Sequence, residues 1–485
     1  MGIRTHPLIY EINTWAWLTA LSRRYGRPVT LGSVPPPEYE RLAGWGFDAV
    51  WLMGVWERSP AARELARRPL VADEYRGALP DLKTEDIVGS AYAIHRYEVD
   101  AFLGGPEGLA TFRAELARRG MGLILDFVPN HVAVDHPWLT AHPDALVHGN
   151  ATSLAADPVT FFQGPHGDVV AHGRDPYFPA WIDTAQINAF SPVARDLARE
   201  TLMQIAGQCD GVRCDMAMLL LNRVFASTWR DYIGPAPETE YWTDMIGAIR
   251  AKYPDFIFSA EAYWGTEPEL QALSFNYTYD KGLYDLLRGG NLDGVRAVLS
   301  QPIEAQSRTV RFIENHDEER AVSAFGTQRS LAAAAITLLA PGAHLVHEGQ
   351  LAGWKVKVPV QLARRLEEAT DLVVEPFYEA LLGEAAQAIY HKGTFGLLSG
   401  AVHLPGSIVA FSWVLGADWR VVVVNYADHP EHCVLTLPEA FCSAGLAPMR
   451  EVLSRASATL VDDEIAGVTL NAGLPAFGVQ IWRPR

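Results

Sequence analysis

Short apolar runs alternate along the chain with longer segments in which apolar residues recur every three or four positions. The short runs have the length of buried β-strands, and the longer segments have the spacing of helices that pack one face against a core. The strand candidates lie within residues 7–13, 47–53, 122–131, 210–221, 256–264, 275–279, 310–314 and 343–347. Strands that alternate with helices in this way pair in parallel, so the pattern predicts an α/β fold, a (β/α)8 barrel.

Two regions depart from this alternation. Residues 132–188 are rich in His, Pro, Gly and Asp and show little periodicity, and a loop of that length inside a compact domain is usually functional. Beyond residue 393 the apolar positions alternate with a period of two, which indicates a separate antiparallel β-domain. We therefore divide the chain into a first barrel segment (1–131), a long loop (132–188), a second barrel segment (189–385) and a C-terminal β-domain (386–485).

Composition narrows the range of partners and compartments. The net charge of −17 on 485 residues argues against nucleic acid and anionic membrane surfaces, because both attract basic patches. The N-terminus lacks an apolar segment with a cleavage site, and no apolar run approaches about 18 residues, so we expect a cytoplasmic protein. No C-x-x-C pair is present, and the cysteines are expected to be free thiols: Cys209, Cys214, Cys433 and Cys442.

Arg213 and Asp215 stand two residues apart at the end of the strand candidate that begins at Asp210. Side chains two apart on a strand share a face, so both are expected to point into the mouth of a barrel. There the guanidinium can hold the carboxylate ionised and fix its direction, which makes Asp215 a candidate nucleophile. A buried structural ion pair is the alternative interpretation of these two residues taken alone.

Polar residues mark the far ends of three other strand candidates. They are Asp126, Asn130 and His131 toward the end of the third candidate, Glu261 toward the end of the fifth, and His316 and Asp317 just beyond the seventh. In order and content, these segments and the one around Asp215 resemble the four signature regions of the alpha-amylase superfamily. That superfamily comprises retaining alpha-glucosidases and transglycosylases built on a (β/α)8 barrel. The resemblance covers the barrel and, more loosely, the C-terminal region.

The resemblance implies a domain plan and a reaction. The long loop occupies the place of the small domain B after the third strand, and the C-terminal region resembles the family's antiparallel β-sandwich. The implied activity is retaining cleavage of alpha-1,4-linked glucans or malto-oligosaccharides. Asp215 matches the nucleophile, Glu261 the general acid/base, and Asp317 the carboxylate that holds ring hydroxyls and stabilises the transition state. Retaining enzymes place the nucleophile and the acid about 5–5.5 Å apart.

Further side chains match family residues that surround the sugar. Tyr92 resembles the tyrosine that stacks beneath the sugar being cleaved. His131 and His316 resemble histidines that donate hydrogen bonds to its hydroxyls, although either one alone could be structural. We group Arg213 and Asp126 with these substrate-binding residues, and we expect Asp126 to bond Arg213 or to orient the site.

The sequence contains no HExxH, P-loop, GxGxxG or metal-spaced Cys/His motif, so no cofactor is expected to be required. Calcium is possible, because Asn130 resembles a calcium ligand of many amylases. The ion would also need ligands from domain B, where the match is poor. In particular, Gln186 stands where an aspartate is usual.

Met218 and Leu219 depart from the family pattern, since many alpha-amylases carry lysine and histidine there to hold the leaving-group sugar. Each such hydrogen bond is worth about 0.5–1.5 kcal/mol, so we expect weak acceptor-side binding unless loop residues compensate. Transfer to a sugar or phosphate instead of water, as in an alpha-glucanotransferase, would use the same catalytic groups. An inactive sugar-binding homologue is a further alternative, and the complete set of carboxylates, arginine and histidines argues against it.

Overall fold

The computed structural model describes residues 4–398, 403–437, 448–453, 457–459, 461–463 and 467–484. Eight parallel strands close into a barrel: β1 Leu8–Asn13, β2 Ala49–Met53, β3 Gly122–Phe127, β4 Gly211–Cys214, β5 Ile257–Ala260, β6 Tyr277–Tyr279, β7 Thr309–Arg311 and β8 Ala343–His347. Each strand pairs with its neighbours in chain order, and β1 pairs with both β2 and β8. The predicted barrel is confirmed, and the C-terminal ends of all these strands therefore share one face.

Helices surround the barrel and cover the apolar outer faces of its strands. The longer ones are Thr14–Tyr25, Pro36–Gly44, Gly105–Ala117, Pro192–Ala206, Asn222–Trp229, Tyr241–Arg250, Lys281–Gly289, Leu292–Leu299, Thr327–Leu339 and Val374–Ala385. Shorter helices are Pro60–Ala66, Pro69–Tyr75, Trp138–Ala141, Ala151–Ala156, Glu267–Ala272, Ile303–Gln306, Ala321–Phe325 and Ile389–Lys392. Several begin at a side-chain cap, as where Asn13 accepts from the backbone N–H of Ala16 and Ser191 from that of Ala194.

The helix Val374–Ala385 differs from the sequence prediction. Apolar spacing predicts one helix over 362–382, whereas the helix begins only at Val374. The preceding segment is held in another conformation by Arg364, whose guanidinium lies 2.9 Å from Asp81 and 2.6 Å from Asp86. These tertiary ion pairs outweigh the local helical preference.

The long loop after β3 is an ordered layer over the barrel mouth. The strand His131–Ala133 pairs antiparallel with Thr184–Gln186, so both ends of the loop are anchored together. Between them, Phe161–Gln163 pairs with Val169–Ala171. A third small antiparallel pair, Trp56–Arg58 with Ile94–Val99, borders the loop that follows β2.

The described residues of the C-terminal region form antiparallel sheets, as predicted, and two such sheets are seen among them. One has six strands: Thr394–Leu397, Ile408–Leu415, Asp418–Asn425, Pro448–Glu451, Ser457–Thr459 and Val479–Pro484. The other has three: Glu431–Thr436, Val461–Asp463 and Gly467–Leu474. The indole N–H of Trp413 donates to the carbonyl of Leu339 at 2.7 Å, which fixes this domain against a barrel helix.

Three of the four cysteines lie in the described part of the chain. Cys209, Cys214 and Cys433 are buried free thiols, while the prediction for Cys442 falls outside the described residues. Within the described part of the chain, no helix combines the length and apolar character needed to cross a membrane.

Candidate active site

A cavity of about 330 Å³ opens at the C-terminal ends of the barrel strands. Asp215 directly follows β4 and Glu261 directly follows β5, and each is tied by its backbone N–H to the carbonyl of a neighbouring strand. The lining residues are Ser90, Tyr92, His131, Trp181, Asp183, Thr184, Asp215, Met216, Glu261, Tyr263, Asp317 and Gln361. The structure therefore brings the three predicted catalytic carboxylates into one pocket.

Arg213 lies beneath the pocket floor with its side chain 2% exposed. Its Nη1 is 2.5 Å from Oδ1 of Asp215, and its Nη2 is 2.7 Å from Oε2 of Glu261. A third carboxylate oxygen, Oδ2 of Asp317, lies 4.0 Å from Nη2. One guanidinium therefore fixes the nucleophile candidate and the acid candidate side by side.

Asp126 supports this arrangement from the neighbouring strand. It pairs in register with Arg213, and its carboxylate accepts from the indole N–H of Trp51 and the backbone N–H of Gly54. Burial raises the pKa of Asp126 to about 7, against the opposing effect of Arg213. Neither Asp126 nor Arg213 lines the pocket. Both lie below it, where they can orient the candidate carboxylates, and their grouping with the substrate-binding residues stays a prediction.

Glu261 is held at both carboxylate oxygens. Oε1 accepts from the hydroxyl of Tyr263 at 2.8 Å, and Oε2 accepts from the backbone N–H of Met216 at 2.7 Å. Burial raises the pKa of Glu261 to about 7; Arg213 opposes this shift and the charge of Asp215 adds to it. Burial also raises the pKa of Asp215, but the close contact with Arg213 favours its ionised form.

His316 lies between two carboxylates. Its Nε2 is 2.9 Å from Oδ2 of Asp317, and its Nδ1 is 2.6 Å from Oε1 of Glu11, which is fully buried on β1. Burial alone would lower the pKa of the imidazole, but Asp317 and Glu11 raise it to about 10. Desolvation would raise the pKa of Asp317, yet His316 outweighs it and the pKa is lowered. At neutral pH an imidazolium therefore faces an ionised Asp317.

Tyr92 and His131 flank the same pocket. The ring of Tyr92 stacks on His316 with centroids 5.4 Å apart, and its hydroxyl is 2.7 Å from Nε2 of that histidine. The ring of His131 lies 5.2 Å from that of Trp181, and burial lowers the pKa of His131 to about 4. His131 is thus neutral at physiological pH, so one ring nitrogen can donate to a sugar hydroxyl while the other accepts.

Met218 and Leu219 do not reach the pocket. They lie in the short 3₁₀ helix Ala217–Leu220 after the nucleophile candidate, with 0% and 2% exposure respectively. Neither residue is part of the pocket lining. Met218 and Leu219 themselves therefore make no polar contact in the described pocket.

The surroundings of Asn130 do not fit a calcium ion. The side-chain amide nitrogen of Gln186 donates to the carbonyl of Asn130 at 2.7 Å, to Oδ1 of Asn130 at 3.1 Å and to the carbonyl of Ile187 at 3.0 Å. Three oxygen acceptors therefore converge on an N–H₂ group, where a hard cation would need their lone pairs. Within the described ranges, no group of three or more His, Cys, Asp or Glu side chains is arranged to hold a metal.

No protein-family model matches the chain. Among curated proteins, it is 25% identical to the alpha-amylase MalA of Haloarcula japonica over 374 residues, 71% of this chain and 49% of that protein. It is 22% identical to a probable oligo-1,6-glucosidase of Bacillus subtilis over 274 residues, 47% of this chain and 48% of that protein. A maltosyltransferase of Bifidobacterium longum, named for alpha-1,4-glucan and maltose 1-phosphate, is 26% identical over 242 residues, 49% of this chain and 26% of that protein.

Solved structures share the fold over nearly the full chain. A maltogenic alpha-amylase, AmyB from Thermotoga neapolitana, superimposes with a TM-score of 0.69 at 17% identity, covering 99% of this chain and 98% of that one. The alpha-amylase of Geobacillus thermoleovorans gives 0.67 at 18% identity, with 99% of both chains covered. The chain resembles members of the alpha-amylase superfamily in sequence and shares the fold of the solved alpha-amylases. It spans about half the length, or less, of the curated superfamily members it matches.

Sequence reasoning missed two polar side chains that hold this superfamily site together. Glu11 is a carboxylate inside an otherwise apolar strand, which was a signal that it pairs with something buried. Tyr263 follows Glu261 by two residues, the spacing that places side chains on one face of an extended segment. Both bond directly to residues that the superfamily motifs had identified.

Proposed function

We propose that the protein is a retaining alpha-glycosidase acting on alpha-1,4-linked glucans or malto-oligosaccharides. The observation that carries this proposal is the single buried guanidinium of Arg213, which contacts Asp215 at 2.5 Å and Glu261 at 2.7 Å. Carboxylates held on adjacent nitrogens of one guanidinium are close neighbours, which favours the short separation of a retaining enzyme, about 5–5.5 Å. The names of the curated relatives support an alpha-glucan substrate.

In the first step, a carboxylate oxygen of Asp215 attacks the anomeric carbon while Glu261 protonates the departing glycosidic oxygen. The pKa of about 7 leaves Glu261 partly protonated at neutral pH, as a general acid requires. Asp317, ionised beside His316, faces the pocket and can hold ring hydroxyls of the sugar as positive charge develops at the anomeric carbon.

In the second step, the carboxylate of Glu261 takes a proton from water, whose oxygen attacks the anomeric carbon and releases Asp215. Two inversions restore the original configuration. A sugar hydroxyl or a phosphate in place of water would convert the same sequence into transfer. The two reactions differ only in what occupies the leaving-group side, so product analysis with and without an acceptor distinguishes them.

This proposal includes no calcium ion at Asn130. The amide of Gln186 already fills the point on which the surrounding oxygens converge, and it joins the strand Thr184–Gln186 to Asn130, three residues beyond β3. Gln186 would then tie the two ends of the long loop together, a role that a bound cation has in the loops of some other proteins.

Proton NMR of the first product tests the stereochemistry. Cleavage of maltotriose should release the alpha anomer first, with the beta anomer appearing only as mutarotation proceeds. An initial beta product would contradict the double displacement and the role of Asp215.

A further inference from the structure

Four apolar side chains stand exposed on the two loops that supply Trp181 and Tyr263 to the pocket lining. Tyr177 is 67% exposed, Phe178 66%, Ile182 48% and Trp264 43%. They come from two separate loops that meet where the rings of Tyr177 and Trp264 pack edge to face, 4.8 Å apart. We call these four residues the apolar rim. Large apolar side chains gathered at a surface in this way mark an interaction site.

The apolar rim is held in a defined conformation. Oδ1 of Asp175, which is 5% exposed, accepts from the backbone N–H groups of Tyr177 at 2.6 Å and Phe178 at 2.9 Å. Trp264 has a φ of 61°, a backbone conformation that a bulky residue adopts only where its surroundings enforce it. The backbone of the rim is therefore held in place, so binding to it costs little further ordering of the two loops.

The position of the general acid candidate shows which side of the scissile bond the rim serves. Glu261 must face the glycosidic oxygen, and its two bonding partners, Met216 and Tyr263, flank it. The ring of Tyr263 lies 6.4 Å from that of Trp264, and Trp181 of the pocket lining directly precedes Ile182 of the rim. Through Tyr263 and Trp264, the rim therefore continues the wall of the pocket next to Glu261, the group that must face the leaving oxygen.

The chemistry of this wall suits an apolar ring better than a second sugar. Between Asp175 and Asp183 the loop contains no charged residue, and Met216 continues the apolar surface into the pocket. On the rim itself, the polar side-chain atoms are the hydroxyl of Tyr177 and the indole nitrogen of Trp264. A flat apolar group would bury area on these faces, whereas the hydroxyls of a sugar would find few partners.

We infer that the rim binds an apolar, ring-bearing alcohol, as leaving group or as acceptor. The inference rests on the proposed function. In the transfer direction, the alcohol oxygen attacks the anomeric carbon of the glycosyl ester on Asp215, and the carboxylate of Glu261 accepts the hydroxyl proton. The bond from the anomeric carbon to Asp215 breaks, which gives the alpha-glucoside of the alcohol and a free carboxylate.

Binding to the Asp215→Asn variant, which prevents turnover, tests the rim directly by calorimetry. Benzyl alpha-glucoside should bind about tenfold more tightly than methyl alpha-glucoside, because its aromatic ring adds buried apolar area. Trp264→Ala or Tyr177→Ser in this background should remove most of that preference. Phe102→Ser is the matched control: Phe102 is 64% exposed, stacks on Trp15 and lies outside the pocket lining, so the preference should persist.

Equal affinity for the two glucosides, or an equal loss of preference in the Phe102→Ser control, would overturn the inference. A second measurement uses the wild-type enzyme with alpha-glucosyl fluoride and equal concentrations of benzyl alcohol and glucose. Benzyl glucoside should exceed disaccharide among the transfer products, and the reverse order would also overturn it. If no fluoride is released, the proposed function fails, while the binding comparison still decides the role of the rim.

Discussion

One side of the pocket is supported by charged groups, and the other is bordered by apolar side chains. On the sugar side, Arg213, His316, Asp317 and Glu11 form a charged network whose members contact one another at 2.6–4.0 Å. On the side that we assign to the leaving group, the wall runs from Met216 toward the apolar rim, whose aromatic side chains are exposed. The charged side has little freedom to change, because removing one partner leaves another charge buried and unpaired. The apolar side carries no such constraint, so it is where substrate choice can vary.

The largest expected effect is on the charged side. Asp215→Asn removes the nucleophile, and activity should fall by about 10⁴-fold or more, with the fold retained by circular dichroism. Asp210→Asn, at the opposite end of the same strand, is the matched control and should stay within about twofold of wild type. An Asp215→Asn sample that keeps a tenth of the activity, once contaminating enzyme is excluded, would remove this residue from the nucleophile role.

Glu261→Gln should separate substrates by their leaving groups. Cleavage of malto-oligosaccharides should fall by about 10²–10⁴-fold, because their leaving oxygen needs a proton. Glycosylation by alpha-glucosyl fluoride should fall far less, since fluoride leaves without general-acid help. Stopped-flow measurement of fluoride release would record the difference, and an equal loss on both substrates would count against Glu261 as the acid.

Glu11→Gln should change pH dependence more than it changes peak activity. Loss of a carboxylate 2.6 Å from Nδ1 of His316 should lower the pKa of that ring by about one unit or more, so the alkaline limb of kcat/KM should move to lower pH. Glu348→Gln is the control, because Glu348 is also buried but pairs with Arg365. The alkaline limb of Glu348→Gln should stay in place. If the alkaline limb moves equally in both variants, Glu11 has only a structural role.

The loss of stability in Glu11→Gln should also depend on pH. The folded-state pKa of His316, about 10, lies above its ordinary value of 6.5, so the imidazolium stabilises the fold fully below pH 6.5 and loses that effect as pH rises to about 10. The difference in Tm between wild type and Glu11→Gln should be largest near pH 6 and should shrink toward pH 10. A difference that does not vary with pH would contradict the charged pair.

The smallest expected effect concerns metal. Because the amide of Gln186 fills the point where oxygens converge near Asn130, EDTA should shift the wild-type Tm by less than about 1 °C. Gln186→Asp should lower the Tm in EDTA, and added calcium should restore part of the loss. A fall of several degrees in the wild type on chelation would show that a cation is part of the native site.

The sequence predicted what the barrel geometry dictates and missed what depends on distant pairing. Asp215, Glu261 and Asp317 could be placed together because parallel strands in a closed barrel end on one face. Glu11 could not, since its partner His316 is 305 residues away and no local pattern links them. The helix predicted over 362–382 failed for a related reason, because ion pairs of Arg364 with a distant loop override local spacing.

The central claim is that Asp215 forms a covalent glycosyl-enzyme with Glu261 as the base that releases it. Glu261→Gln treated with alpha-glucosyl fluoride should form the ester without general-acid help and then release it slowly, because the base is missing. Acid quenching followed by mass spectrometry should therefore show the added mass of one glucosyl residue, mapped to the peptide that contains Asp215. Fluoride release without any adduct, or an adduct on another residue, would contradict the account.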